Sequence, residues 1–303
     1  MKRFLKWAGT LLGVLAGILV IGLVVIIISA NSRLKHIYNI PNETISVPTD
    51  QASIELGKRI FQYRGCEACH GEQLEGKVYL DDPAIGKVIS TNLTTGTGGV
   101  GSEMSDEDWI RAIRYGVRKD GTGLLFMPST EFYYLSDADL GAVIAYIKSM
   151  PPADLELPPS QLSFTGKIVM TLVKDITFIP AELIPHDAPR PAAPEVGITP
   201  EYGSYLALSC HVCHGPTMSG GVIPGFPSSW PAAPNITFGG GSVLPTWSEQ
   251  DFINTMRTGF TPTQKELRKE YMPWTSYKFM TDDELKAVWV YLQSLPKLEF
   301  GNR

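Results

Sequence analysis

One motif occurs twice, and it constrains everything else the chain can be. Cys66-Glu67-Ala68-Cys69-His70-Gly71 returns as Cys210-His211-Val212-Cys213-His214-Gly215, 144 residues later. Its surroundings return with it. Asn92-Leu93-Thr94 and Asn235-Ile236-Thr237 lie 143 apart, as do Arg114-Tyr115-Gly116 and Arg257-Thr258-Gly259. Met127-Pro128 and Met272-Pro273 lie 145 apart, as do the segments that start at Leu140 and Leu285. A spacing steady to within two residues over about eighty positions is the mark of a duplication. The chain must therefore fold into two copies of one unit, and residues kept in both copies answer to a shared constraint.

The unit reads as helical. Ser105-x-x-Asp108 and Ser248-x-x-Asp251 are capping boxes, in which a hydroxyl and an acid satisfy the orphan N–H groups of a first helical turn. Ser136-x-x-Asp139 and Thr281-x-x-Glu284 open the last helix of each copy. Leu140, Val143, Ile144 and Ile147 then share one helical face, as do Leu285, Val288, Trp289 and Leu292. Pro151 and Pro296 end these helices. Earlier helices, at about Ser53 to Arg64 and Glu201 to Leu208, lead into the Cys clusters. No segment shows a convincing strand pattern. The expected fold class is all-α, with two tandem domains at 51–150 and 198–300. Each has long Gly- and Pro-rich loops and too few apolar side chains for a large core, a gap that a buried cofactor fills.

Cys-x-x-Cys-His is the signature of covalent haem attachment. Two thiols three residues apart sit about one helical turn apart and can reach the two vinyl groups on one edge of a haem. The adjacent His then faces the iron. Cys66 and Cys69 are thus expected to attach one haem with His70 as iron ligand, and Cys210 and Cys213 a second with His214. A zinc ribbon needs two Cys pairs about 15–20 residues apart, far closer than these. A Cys-x-x-Cys disulfide closes so short a loop that it stabilises little.

The duplication also selects a sixth ligand. Of nine Met, only Met127 and Met272 occupy equivalent loop positions after the haem motif, each followed by Pro. Met104 and Met218 show no counterpart, Met280 pairs with Leu135, and Met256 pairs with Ile113. A His/Met pair raises the reduction potential and leaves no open position for oxygen or peroxide, which favours electron transfer over catalysis. Asn92, Asn235, Arg114 and Arg257 are candidates to bind haem propionates, since an Arg fork suits a carboxylate; loop turns and surface charge are the alternative. Trp230, Trp247 and Trp274 are candidates to line the second pocket, with plain aromatic packing as the alternative.

Outside the repeats, Lys2, Arg3 and Lys6 precede an uncharged apolar run from Trp7 to Ala30. A membrane-crossing helix needs about 20 such residues. Residues 1–31 are therefore expected to form an N-terminal transmembrane anchor, with the haem domains outside the cytoplasm. A cleaved signal peptide is the rival, but its apolar core is only about 7–15 residues long. Residues 151–197 read as a Pro-rich linker. Within it Ile168, Val169, Leu172, Val173 and Ile176 are expected to share an apolar helix face that covers the seam between domains or docks on a partner or membrane. The net charge of −5 provides no basic field for nucleic acid.

These residues resemble tandem class I c-type cytochromes. The loop Ser90-Thr91-Asn92-Leu93-Thr94, the box Ser105-Asp106-Glu107-Asp108 and the turn Gly116-Val117-Arg118-Lys119-Asp120-Gly121 are similar to cytochrome subunits of membrane-bound alcohol and aldose dehydrogenases. Those subunits usually carry three haems; this chain has motifs for two. The resemblance implies two covalently bound haem c, two cytochrome c-like helical domains and His/Met ligation. The function expected is a single-pass di-haem cytochrome of the bacterial inner membrane with its haem domains in the periplasm. It would pass electrons from a dehydrogenase or quinol-oxidising complex to a soluble carrier or oxidase, without being an enzyme itself. The alternative is a peroxidase-like di-haem oxidoreductase with one catalytic haem.

Overall fold

The computed structural model describes residues 1 to 303. It opens with one helix, α1 (Lys2–Leu34), whose most apolar stretch has a mean hydropathy of 3.3. At about 1.5 Å per residue, α1 exceeds the ~30 Å hydrocarbon layer of a bilayer. It has the length and composition to cross a membrane once. It meets the rest of the protein at its C-terminal end, where Ala30 is fully buried.

The first repeat begins with α2 (Gln51–Tyr63), capped by the Asp50 carboxylate accepting from the Ser53 N–H. Gly65, at φ 75°, turns the chain into α3 (Cys66–His70), a single helical turn made of the motif itself. A hairpin follows, β1 (Lys77–Asp82) and β2 (Gly86–Ser90). Then come α4 (Asp106–Tyr115), α5 (Ser129–Phe132) and α6 (Asp137–Ser149). In the connecting segment, β3 (Gln161–Leu162) pairs with β2 to complete an antiparallel sheet of order β1-β2-β3, and α7 (Phe164–Leu172) follows. The second repeat consists of α8 (Pro200–Leu206), α9 (Cys210–His214), α10 (Glu249–Thr258), α11 (Trp274–Tyr277) and α12 (Asp282–Ser294).

Both Ser-Asp capping boxes form as expected, and so does the box of Thr281 with Glu284. The small sheet departs from the strand-free expectation. β1 is largely exposed, so it lacks the inside–outside alternation that reveals a strand in a sequence. The second repeat keeps only a single bridge at the equivalent place, between Gly221 and Ala233.

In each repeat the first helix crosses the last at a glycine. A Cβ on Gly57 would run into the Ala142 carbonyl of α6, and one on Gly203 into the Ala287 carbonyl of α12. The missing side chains let the backbones touch, and Ile60, Leu140 and Ile144 in one repeat and Leu206, Leu285 and Leu292 in the other close around the contact. Burying such a side chain contributes about 1.5–3 kcal/mol.

The two repeats share one core of 30 buried residues, drawn from both. Polar contacts across it follow the same pseudo-twofold logic. Arg59 of α2 pairs with Glu284 at the start of α12, and the Tyr205 hydroxyl of α8 donates to Asp139 at the start of α6. Tyr205 also accepts from the Ser136 backbone N–H at 3.1 Å.

The linker helix differs from expectation in extent and direction. α7 stops at Leu172, and it buries Gly166 and Met170 while Leu172 and Val173 stay exposed. It packs on the end of α1, in a second cluster with Ala30, Phe178 and Ile179, so it does not cover the seam between the repeats. The chain breaks from helix at Val173 (ψ 109°), which prevents Leu172, Val173 and Ile176 from forming one face with Ile168 and Val169.

Candidate haem sites

Each Cys-x-x-Cys-His segment closes a turn of helix, so its two sulfurs and its imidazole are set by one rigid element. The flanking backbone is the same in both copies. Gly71 (φ 83°, ψ 164°) and Gly215 (φ 79°, ψ 167°) reverse the chain. The Gly76 N–H then donates to the His70 carbonyl at 2.8 Å, as Gly220 does to His214 at 2.9 Å. Between them, Leu74 and Met218 are both left-handed, at φ 59°, and both fully buried. Met218 therefore does have a counterpart, Leu74, and its place is in the packing of this turn. The sequence signal for that pairing was the 144-residue spacing, hidden by the change of residue type.

The imidazoles are aimed by their backbone partners. His70 Nδ1 lies 2.9 Å from the Thr91 carbonyl, and His214 Nδ1 lies 2.8 Å from the Pro234 carbonyl. A carbonyl accepts, so Nδ1 carries the proton and Nε2 is left with its lone pair. That is the arrangement of a metal-ligating histidine, whose second nitrogen fixes tautomer and ring direction. Burial lowers the pKa of both rings and so favours the neutral, ligating form.

The four thiols are unpaired with one another and half-buried. Burial pushes Cys66 and Cys210 up to about 12 and raises Cys69 and Cys213, which favours the protonated thiol over the thiolate.

The Met-Pro loops also match. Pro128 (φ −77°, ψ 51°) and Pro273 (φ −77°, ψ 52°) share one backbone conformation. The Ser129 N–H reaches the Met127 carbonyl at 2.7 Å, and the Trp274 N–H reaches that of Met272 at 2.7 Å. Met127, Met272, Cys66 and Cys210 all pack, partly exposed, against the shared core.

The polar residues expected at propionates have other partners. Asn92 Oδ1 accepts from the Thr94 N–H and hydroxyl, and Nδ2 donates to the Ala153 carbonyl at 2.7 Å. Asn235 repeats this with Thr237 and the Leu298 carbonyl. Each Asn thus ties its loop to the chain beyond the last helix. Arg114 is fully buried and pairs with Glu43 (2.7 Å), Asp137 (2.6 Å) and the Leu135 carbonyl (2.8 Å). Arg257 pairs with Asp282 and the Lys278 carbonyl, both at 2.7 Å. Both arginines clamp the end of the Met loop to the start of the last helix. Repetition in both copies marks a real constraint, and the protein contacts of these residues tie loops to the last helix, while Arg114 Nε has no protein partner. Among the tryptophans, Trp274 Nε1 donates to the Leu267 carbonyl at 2.8 Å, Trp230 packs on Phe226 and Tyr271, and Trp247 packs against the core.

Four buried side-chain nitrogens have no protein partner, Trp109 Nε1, Arg64 Nε, Arg114 Nε and His186 Nδ1, and of these residues the sequence singled out only Arg114. Buried donors are rarely left so, and an anionic-edged ligand such as haem would supply acceptors. Together with a bare Nε2 on each histidine and paired thiols on one helical turn, the residues fit covalently held haem. Arg64 also carries the link between repeats, since it donates to the Tyr205 carbonyl at 3.1 Å and stacks near the Tyr63 and Tyr205 rings. Its position two residues before the motif is the signal that was available.

Comparison with known proteins agrees with this geometry. The cytochrome c family model matches residues 54–151 and again 201–296. The fructose dehydrogenase cytochrome subunit of Gluconobacter japonicus is 29% identical over 289 residues, covering 86% of this chain. The cytochrome c subunit of the quinone alcohol dehydrogenase of Gluconobacter oxydans is 28% identical and covers 83%. The chain spans 56% of the length of each of these relatives. A diheme cytochrome c-type protein of Cereibacter sphaeroides is 25% identical, with 80% of this chain and 86% of that protein aligned. With two matched regions, each built around one Cys-x-x-Cys-His turn, the chain belongs to the cytochrome c family and carries two haem c groups.

Proposed function

We propose that this protein is a membrane-anchored two-haem wire that accepts electrons from a dehydrogenase or quinol-oxidising complex and hands them to a soluble carrier or oxidase. Its single span would be α1, with domains 51–150 and 198–300 on the periplasmic side of the bacterial inner membrane and 151–197 as the connecting segment. The names of the relatives support a dehydrogenase as donor. Haem, once bound by these residues, would supply the one-electron chemistry.

The chain's own residues do the rest. Cys66 and Cys69, and Cys210 and Cys213, would hold the porphyrins by thioethers. His70 and His214 would ligate through Nε2, with Nδ1–H held by the Thr91 and Pro234 carbonyls. Met127 and Met272 would ligate from loops stiffened by Pro128 and Pro273 and clamped by Arg114 and Arg257. Ligation by a His and a Met together would keep the structural change on electron transfer small and would deny peroxide a site. The common core joins the two domains, and the anchor raises their effective concentration at membrane partners.

The observation that carries this reading is the matched Met-Pro geometry of the two copies, which treats both sites alike. Electron paramagnetic resonance of the oxidised protein tests it. Two low-spin signals are expected, with Met127→Ala converting one to high spin and Met272→Ala the other. A high-spin haem in the unmodified protein would favour the peroxidase-like alternative and overturn the wire.

A further inference from the structure

The last turns of α1 do not leave the membrane bare. Leu23, Ile26, Ile27, Ala30 and Leu34 lie on one face of that helix and are wholly or partly covered. α7 packs at the C-terminal end of that face, with Met170 fully buried in the same cluster as Ala30 and Leu34. Arg33 ties the contact down: one nitrogen donates to the Met170 carbonyl at 2.5 Å, and two others bond Glu182 at 2.6 and 2.7 Å.

The opposite side of α7 is apolar as well. Phe164 is 58% exposed and Leu172 59%, and they share a stripe with half-buried Ile168 at i, i+4 and i+8. Gly166 and Met170, the buried side, point roughly the other way round the helix. Val173 is exposed next to Leu172, and Leu183, in the short turn that holds Glu182, is 64% exposed. A helix apolar on both sides is covered on both. One cover is α1.

Height identifies the other. A hydrocarbon layer of ~30 Å uses about 20 of the 33 residues of α1. Counted from Trp7, the span ends near residue 27, which puts Ala30 to Leu34 among the headgroups. Whatever packs on those turns lies within the same layer. Lys167 and Lys174 stand close in sequence to this patch, Lys35 caps the end of α1, and all three suit an anionic lipid surface.

We propose that α7 and the turn around Leu183 form a second membrane contact, lying in the headgroup layer beside the anchor with Phe164, Leu172, Val173 and Leu183 inserted among the lipids. The contact rests on α1 being a span. It gives the first haem domain a fixed height and tilt over the bilayer, since α7 is joined to that domain through β3 and through the cluster that holds Tyr115, Val117 and Tyr133.

The test uses the full haem-loaded chain, one per lipid nanodisc, with anionic lipid whose acyl chain carries a diazirine just below the headgroup. After photolysis, lipid adducts are mapped to peptides by mass. Adducts on peptides covering 164–183 are expected at least about fivefold above peptides around Val243, an exposed apolar site in the second domain. Leu172→Glu should remove most of the 164–183 signal and leave that of α1 unchanged. Adducts on α1 alone would overturn the proposal and leave the anchor standing; if another protein covers the patch, this same result appears. No adducts on α1 would instead overturn the span itself.

Discussion

Glu131 lies four residues beyond Met127, on α5, in the region where the two repeats meet. Burial pushes its carboxyl up to about 7, while the Arg64 charge pulls it the other way. A carboxyl raised on folding binds its proton more tightly in the folded state. The stability it contributes is complete below the ordinary carboxylate range and is lost as pH rises through about 7. Glu131→Gln should therefore match the parent protein near about pH 4 and exceed it by about 2 kcal/mol near about pH 8 in denaturant unfolding of the haem-loaded protein. Equal curves at both pH values would show that the carboxyl is solvated. At this scale the sequence is a good guide to chemistry and a poor one to polar structure. Paired thiols and histidines are legible because few other uses fit that spacing. Asn92 and Arg114 are not, because repetition marks a constraint without saying whether a ligand or a loop imposes it. Their partners, Ala153, Glu43 and Asp137, lie 23 to 71 residues away.

The helices were legible from their caps and apolar faces, and Ser105, Ser248 and Thr281 cap as the sequence indicates. β1 and β2 were not, because a strand exposed on most of its length has no core to impose alternation. α7 was half legible. Its apolar residues were evident, but the side that faces inward is set by α1 and the cluster around Phe178, which no local period encodes. The helix crossings show how little room an element allows. Gly57→Ala places a methyl against the Ala142 carbonyl, and Gly203→Ala does so against Ala287. Backbone cannot yield as a side chain does, so each substitution should cost about 2–4 kcal/mol despite the better helix propensity of Ala. Thermal unfolding checks this. An unchanged or raised midpoint would mean that the helices separate freely.

At the scale of the molecule, one fold used twice makes a pair of sites joined by a common core, with a greasy helix at one end. The duplication made the two-domain plan legible from sequence. The manner of joining was not, because Arg59 with Glu284 and Tyr205 with Asp139 are contacts between repeats that neither repeat contains. The central claim is that each repeat holds its own haem through its own cysteine pair. Intact mass under denaturing conditions tests it most directly, since only covalent haem survives. The parent chain should weigh as polypeptide plus two haems, and both the Cys66→Ala/Cys69→Ala and the Cys210→Ala/Cys213→Ala variants as polypeptide plus one. A parent mass showing fewer than two haems, or a paired variant that still carries both, would contradict the account.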